Sequence, residues 1–202
     1  MSVVHEGRCL CGDVRYTTLR DPLRVTICHC RFCQRFTGSS YLVEPIFRKR
    51  DVVFEGARAK SYEHRSDSSG KRVTLNFCGR CATTLCLDLE RFPDILGICG
   101  GTFDDPNWFD QDPSTCRHIF VRSAQRGVIL PAGVDLFEEH ALRLDGSPNQ
   151  PTVLAHALRC RKLDTRHSNP KHARFFGASL ACAALRDRGP GRERRVRMNR
   201  PQ

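Results

Sequence analysis

Short stretches of alternating apolar and polar residues, separated by turn-forming residues, recur from about residue 3 to residue 144. Alternation over a few residues is typical of half-buried β-strands. Strands are predicted at 14–18, 23–27, 40–43, 71–77, 84–88, 95–99 and 118–122. Pro45 is expected to end the third strand, because proline cannot donate a hydrogen bond to a neighbouring strand. The pattern predicts a mainly β domain of antiparallel sheets.

Helix is expected at only two places. The first is 31–36, after a group of cysteines, and the second is 152–161. Between the β region and this second helix lies 145–151, which is rich in proline and in the turn-forming residues Asp, Gly, Ser and Asn. We therefore predict a domain at 1–145 and a separate C-terminal extension at 146–202.

The charge of the chain is concentrated in this extension. The formal net charge is +11, and residues 151–202 hold 13 of the 33 lysines and arginines but 3 of the 22 aspartates and glutamates. Such a composition is typical of a largely disordered basic tail, which could contact nucleic acid or another polyanion. Mean hydropathy is −0.44. No stretch approaches ~18 consecutive apolar residues, so no membrane-spanning segment is expected.

Twelve cysteines are a high number for 202 residues. The first residues show no basic region followed by an apolar run, so an export signal is not expected. Seven of the cysteines lie in closely spaced groups, which suit a metal better than a set of disulfides. The pattern predicts a reducing compartment, most simply the cytoplasm.

The first and last of these groups can complete one metal site. Cys9 and Cys11 are followed by Gly12, which permits the turn that two neighbouring thiolates need to approach one ion. Cys78 and Cys81 form a Cys-x-x-Cys with an internal glycine, a zinc-knuckle pattern. Together the four thiols predict a closed structural zinc site that contributes to folding.

The middle group leaves three thiols, from Cys28, Cys30 and Cys33. Three protein ligands with one open position are typical of a catalytic zinc. A substrate thiol bound there would lose its proton near neutral pH and become a nucleophile. Three alternatives remain open: His29 completes this site, the seven thiols group differently, or iron takes the place of zinc.

The ordered motifs resemble one known family. The stretches 7–16, 28–33 and 77–81, with the later stretches 118–123 and 137–140, are similar to the glutathione-dependent formaldehyde-activating enzymes, a family that also includes the centromere protein V-like domains. The resemblance covers about residues 3–140. It implies an Mss4-like fold, in which coiled antiparallel sheets are organised around zinc.

The resemblance also implies two zinc ions with separate roles. It assigns a structural zinc to Cys9, Cys11, Cys78 and Cys81, and a catalytic zinc to Cys28, Cys30 and Cys33. The implied activity is the joining of glutathione and formaldehyde to S-hydroxymethylglutathione, of the carbon–sulfur lyase type when read in reverse. The expected partners are thus a small thiol and a small aldehyde, and the pattern indicates no particular oligomeric state.

Two departures from the family's pattern affect this hypothesis. Ala82 follows Cys81 where the family usually has glycine, and 124–128 lacks the family's usual lysine and tryptophan. The alternative hypothesis is a non-catalytic, zinc-stabilised binding module whose basic tail contacts nucleic acid or another polyanion.

Overall fold

The chain folds mainly into short antiparallel strands, which confirms the predicted fold class. The computed structural model describes residues 4–57, 59–109 and 112–160. Its α-helix is Arg31–Thr37 (α1), and no helix among the described residues is long and apolar enough to cross a membrane. The strands are β1 His5–Arg8, β2 Val14–Thr18, β3 Arg24–Cys28, β4 Leu42–Arg48, β5 Val52–Gly56, β6 Lys60–Arg65, β7 Arg72–Phe77, β8 Thr84–Leu89, β9 Ile95–Ile98, β10 Cys116–Ile119, β11 Ile129–Leu130, β12 Asp135–Leu136, β13 Thr152–Val153 and β14 Leu158–Arg159.

The described strands form three sheets. The first has the order β1-β2-β5, the second is nine-stranded with the order β13-β12-β10-β3-β4-β9-β8-β7-β6, and the third is the pair β11-β14. Pairing is antiparallel, except that β10 runs parallel to both β3 and β12. The central strands β3, β8 and β9 are buried on both faces, whereas β5 and β6 are largely exposed.

The core is divided into clusters, and two of them contain a group of cysteines. One includes Cys9 and Cys78 with Tyr16, Phe47 and Leu85. Its members come from the three-stranded and the nine-stranded sheet, so this cluster joins the two. The other includes Cys28 and Cys33 with side chains of β4, β7 and β8.

The prediction that Pro45 ends its strand is wrong. β4 continues through Pro45 to Arg48. Pro45 is opposite Val25 in the register of β3 and β4, and the N–H of Val25 donates to the carbonyl of Thr115, away from β4. The two residues are thus a non-hydrogen-bonded pair, and the missing N–H costs no bond between these strands.

The C-terminal part of the described chain also differs from the prediction. Residues 152–160 are not helical; β13 pairs with β12 and β14 pairs with β11. These strands follow the predicted domain boundary at residue 145 and pair with strands that precede it. The predicted basic and largely disordered extension, with its contacts to a polyanion, comprises 146–202, of which 161–202 lie outside the described residues.

Candidate functional site

Four thiols meet where the three-stranded and the nine-stranded sheet come together. Cys9 and Cys11 lie in the turn between β1 and β2, and Cys78 and Cys81 lie in the turn between β7 and β8. Their four Sγ atoms lie within 4.8 Å of one another. Cys9 and Cys78 are buried, whereas Cys11 is exposed. The sheets therefore bring together two pairs of thiols that are far apart in the sequence.

The spacing of these sulfurs fits one tetrahedral ion. The Sγ of Cys11 lies 3.5 Å from that of Cys9 and 3.6 Å from that of Cys78. Thiolates that share a zinc at ~2.3 Å each lie about 3.8 Å apart. Backbone N–H groups donate to two of the sulfurs, from Val14 to Cys9 at 3.3 Å and from Arg80 to Cys78 at 3.4 Å. Such donors stabilise thiolates, so the donor set suits zinc.

Both turns depend on residues with positive φ. Gly12 has a φ of 79° and donates its N–H to the carbonyl of Cys9. Ala82 has a φ of 60° and donates to the carbonyl of Cys78 in the same way. Glycine adopts this conformation freely, but a residue with a Cβ is disfavoured there. Ala82, which stands where a glycine is expected, is thus held in a strained conformation.

Three more thiols meet at the start of α1. Cys28 is the last residue of β3, Cys30 is the N-cap of α1, and Cys33 lies in its first turn. Their Sγ atoms also lie within 4.8 Å of one another. The N–H of Cys33 donates to the Sγ of Cys30 at 3.4 Å. The three thiols are positioned by the end of β3 and the start of α1, which are adjacent in the sequence. Local backbone structure therefore brings them together.

The three thiols of this cluster differ in acidity. Hydrogen bonds from Cys28 and Cys33 lower the pKa of the Cys30 thiol to about 3. The contact with Cys30 raises the pKa of Cys28, contacts with Cys28 and Cys30 raise the pKa of Cys33, and burial of both thiols acts in the same direction. Negative charge in this cluster is therefore concentrated on Cys30, the most accessible of the three.

The three-thiol cluster forms part of the wall of a cavity of about 250 Å³. Phe120 also lines it, with a φ of 57° that is unusual for a bulky residue. Strained residues of this kind cluster at functional sites. The charged and polar part of the lining comes mainly from the turn between β6 and β7 and from the segments near β8 and β10: His64, Ser66, Asp67, Ser68, Ser69, Lys71, Arg72, Arg91, Arg122, Ser123 and His140.

Residues 4–123, more than half of the chain, match the family described as glutathione-dependent formaldehyde-activating enzyme. The chain belongs to this family. The resemblance inferred from the cysteine motifs is thereby confirmed.

Individual relatives are more distant. A protein of Halomonas elongata, provisionally named as a glutathione-dependent formaldehyde-activating enzyme, is 29% identical over 94 residues, which are 45% of this chain and 60% of the relative. The match thus spans three fifths of that protein. A crystal structure of a Rhodobacter sphaeroides protein has a TM-score of 0.40 and 18% identity, covering 49% of this chain and 87% of that one.

His29 does not join the thiols in this family member. It is fully buried, and its Nε2 lies 3.0 Å from the Nδ1 of His118. Burial lowers the pKa of both imidazoles to about 4, so the pair is neutral near pH 7. The group that could hold a metal here comprises the three cysteines alone. His29 is therefore paired with His118 in the interior rather than with the thiols.

One polar residue of the cavity was missed in the sequence. Glu44 lies on β4 and contributes to the wall that contains the three thiols. A signal was present, because Glu44 is the only charged residue within the apolar stretch 42–47. Because the sequence predicts that Pro45 ends this strand, Glu44 is expected at a strand end, where its side chain would be exposed. Its position in the cavity is therefore not predicted.

Proposed function

We propose that this chain is a zinc-dependent enzyme that joins a thiol to a small aldehyde. Glutathione and formaldehyde are the substrates named by the family, and the reaction is of the carbon–sulfur lyase type when read in reverse. In this proposal Cys28, Cys30 and Cys33 hold a catalytic zinc. A second zinc, held by Cys9, Cys11, Cys78 and Cys81, stabilises the fold.

The observation that carries the proposal is the position of the three-thiol cluster in the cavity wall. Three thiolates leave one position of a tetrahedral ion for another ligand, and a neighbouring cavity gives that ligand access. The four-thiol cluster has its full set of protein ligands. Of the two clusters among the described residues, the three-thiol cluster combines an incomplete ligand set with a neighbouring cavity.

A zinc ion bound by the three cysteines would supply positive charge that favours the thiolate form of a substrate thiol. The residues of the chain hold the substrate in place and limit its contact with water. Phe32 and Phe120 provide apolar surface beside the thiols. Because the site is partly screened from solvent, charges that develop in the reaction interact more strongly there than in water.

The charge of the cavity favours an anionic thiol. Its lining includes four basic residues, Lys71, Arg72, Arg91 and Arg122, against the two acidic residues Glu44 and Asp67. Glutathione carries two carboxylates and one ammonium group near neutral pH, so its net charge is negative. Lys71, Arg72 and Arg122 also form ion pairs with glutamates outside the lining, so the attraction that they add for such a substrate is modest.

Exchange NMR tests the proposal directly. Glutathione and formaldehyde combine without a catalyst, so the measurement is the exchange rate with and without zinc-loaded protein at catalytic concentration. We expect clear acceleration by the unmodified chain and none by Cys30→Ser. Cys160→Ser is the matched control, because Cys160 is a thiol outside both clusters, and it should retain the acceleration.

No acceleration by folded protein that carries two zinc ions would contradict the proposal for these substrates. Equal acceleration by Cys30→Ser would contradict the assignment of the three-thiol cluster as the catalytic site.

A further inference from the structure

Glu44 is a buried carboxyl group in the wall of the candidate active site. Its side chain is 7% exposed, and its Oε1 has no hydrogen-bond partner among the described residues. It lines the same cavity as the three thiols. A buried polar atom without a partner costs free energy, so its presence calls for a functional explanation.

The sheet places Glu44 among other buried polar groups. Glu44 is opposite Thr26 in the register of β3 and β4, and Thr26 is opposite Arg117 in the register of β3 and β10. Arg24 shares the face of Thr26, two residues along β3. Thr26 Oγ1 and the Nε atoms of both arginines also lack partners within the described residues. The buried, unpartnered atoms of these four side chains therefore belong to the same face of the sheet.

A glycine makes room for the carboxyl group. A Cβ built at Gly97 of β9 would overlap Oε1 of Glu44. Larger residues at this position would therefore displace the carboxyl group from its site. The position of Glu44 thus depends on a specific feature of the neighbouring strand.

The surroundings of Glu44 favour its protonated form near neutral pH. Burial raises its pKa to about 8, and the negative charge of Cys30 acts in the same direction. Arg24 on β3 and Arg117 on β10 oppose this shift. Within the described residues no ion pair joins either arginine to Glu44, so neither holds the carboxylate in its charged form. Cys99, after β9, also interacts electrostatically with Glu44.

We propose that Glu44 is a catalytic residue that exchanges a proton with the substrate bound in this cavity. The inference rests on the proposed function and adds to it the group that balances the protons. The carboxylic acid, rather than the carboxylate, is the form that donates, as in other sites where burial keeps a carboxyl group neutral.

The atoms and charges of the proposed step balance. The sulfur of the substrate thiolate forms a bond with the aldehyde carbon, and the π electrons of the carbonyl move to its oxygen. That oxygen takes the proton of Glu44 and becomes the hydroxyl of the hemithioacetal. The Glu44 carboxylate then accepts the proton that the next substrate thiol releases. The net reaction is one thiol plus one aldehyde giving one hemithioacetal.

The geometry distinguishes this role from that of a metal ligand. The carboxylate oxygens of Glu44 do not belong to the group of ligand atoms that lie within 4.8 Å of one another. A purely structural role is also unsupported, because Oε1 of Glu44 makes no hydrogen bond with the described residues that would hold the sheet together.

The test compares Glu44→Gln with the unmodified chain and with Glu55→Gln, which changes an exposed glutamate of β5. Zinc content and melting temperature are measured first, and neither should change in Glu44→Gln. The protein-dependent exchange rate of glutathione with formaldehyde should fall by about 10²-fold or more in Glu44→Gln and stay unchanged in Glu55→Gln.

The pH dependence of the rate is a second readout. The rate of the unmodified chain should fall as the pH rises through about 8, where Glu44 loses its proton. The residual rate of Glu44→Gln should not fall over this range.

Infrared difference spectroscopy provides a readout without substrate. The carboxylic acid band of Glu44 should disappear as the pH rises through about 8, and Glu44→Gln should lack it. If the unmodified chain accelerates exchange and Glu44→Gln accelerates it equally, this inference is overturned but the proposed function is not. A Glu44 that is already ionised at pH 6 would likewise overturn the inference alone. No acceleration by the unmodified chain would overturn both.

Discussion

The two cysteine clusters differ in how the chain brings their ligands together. In the four-thiol cluster Cys11 and Cys78 are 67 positions apart and lie in different turns. In the three-thiol cluster all the ligands fall between Cys28 and Cys33. A metal bound by the first cluster closes a long loop and joins two sheets. A metal bound by the second constrains only a strand end and one turn of helix.

Under the proposed function, this difference would let one small domain combine stability with a reactive site. Linking distant segments restricts the unfolded chain strongly, so a metal ion bound at the four-thiol cluster would contribute to folding. A local cluster gains little from such linkage, and its ion can retain an open position without loss of the fold. The burial is consistent with this division, because each cluster belongs to a different part of the core.

The largest expected effect comes from removing one ligand of each cluster. We expect Cys78→Ser to lose several kcal/mol, a large part of the ~5–15 kcal/mol that stabilises a typical domain, and to unfold. Cys30→Ser should keep a cooperative melting transition close to that of the unmodified chain and bind one zinc ion fewer. Circular dichroism melting and zinc analysis measure both outcomes. If the two variants unfold alike, the division into a structural and a catalytic cluster is wrong.

A smaller effect is expected when zinc is removed stepwise from the unmodified chain. A chromophoric chelator should take the ion of the three-thiol cluster first, because it has fewer protein ligands. This first release should leave the β-sheet signal in circular dichroism unchanged, and the second should coincide with unfolding. Cys30→Ser is the control, because its single zinc should leave only with unfolding. A loss of structure during the first release would contradict the comparison.

The smallest effect concerns the backbone of the four-thiol cluster alone. Ala82→Gly should stabilise the fold by about 1 kcal/mol or less, since glycine relieves the positive φ but costs some entropy. Ala124 is a matched control, because its φ is −57°, and Ala124→Gly should destabilise by a similar amount. Denaturant unfolding measures both. Equal destabilisation by the two substitutions would show that the conformation of Ala82 carries no strain.

The sequence predicts the cysteine clusters well, because close spacing of ligands leaves few possible geometries. The sequence also predicts helix α1 to within one residue, and the structure shows that Cys30 is its N-cap. The strands β1, β5 and β6 were not predicted. Their sequences are polar or exposed on most positions, so the alternation that marks a half-buried strand is weak in them. They form strands because neighbouring strands offer them hydrogen bonds.

The cavity is formed by residues from separate strands and turns, so sequence patterns do not predict it. The turn between β6 and β7 contains three serines that line the cavity with Cys30, and no motif in the sequence marks them. Glu44 enters the site because Gly97, on a different strand, leaves space for it. Such coincidences between separate strands have no signature in a single sequence.

The spacing of the cysteines also sets an order of events during synthesis. All three thiols at 28–33 leave the ribosome within six residues of one another, so this cluster can bind metal as soon as it emerges. Cys11 must wait for Cys78, 67 positions later, which takes roughly 3 to 13 s at typical elongation rates. During that interval the N-terminal thiols are open to oxidation or to capture by the wrong ion. The cluster proposed to stabilise the finished fold would therefore be the one more exposed to damage while the protein is being made.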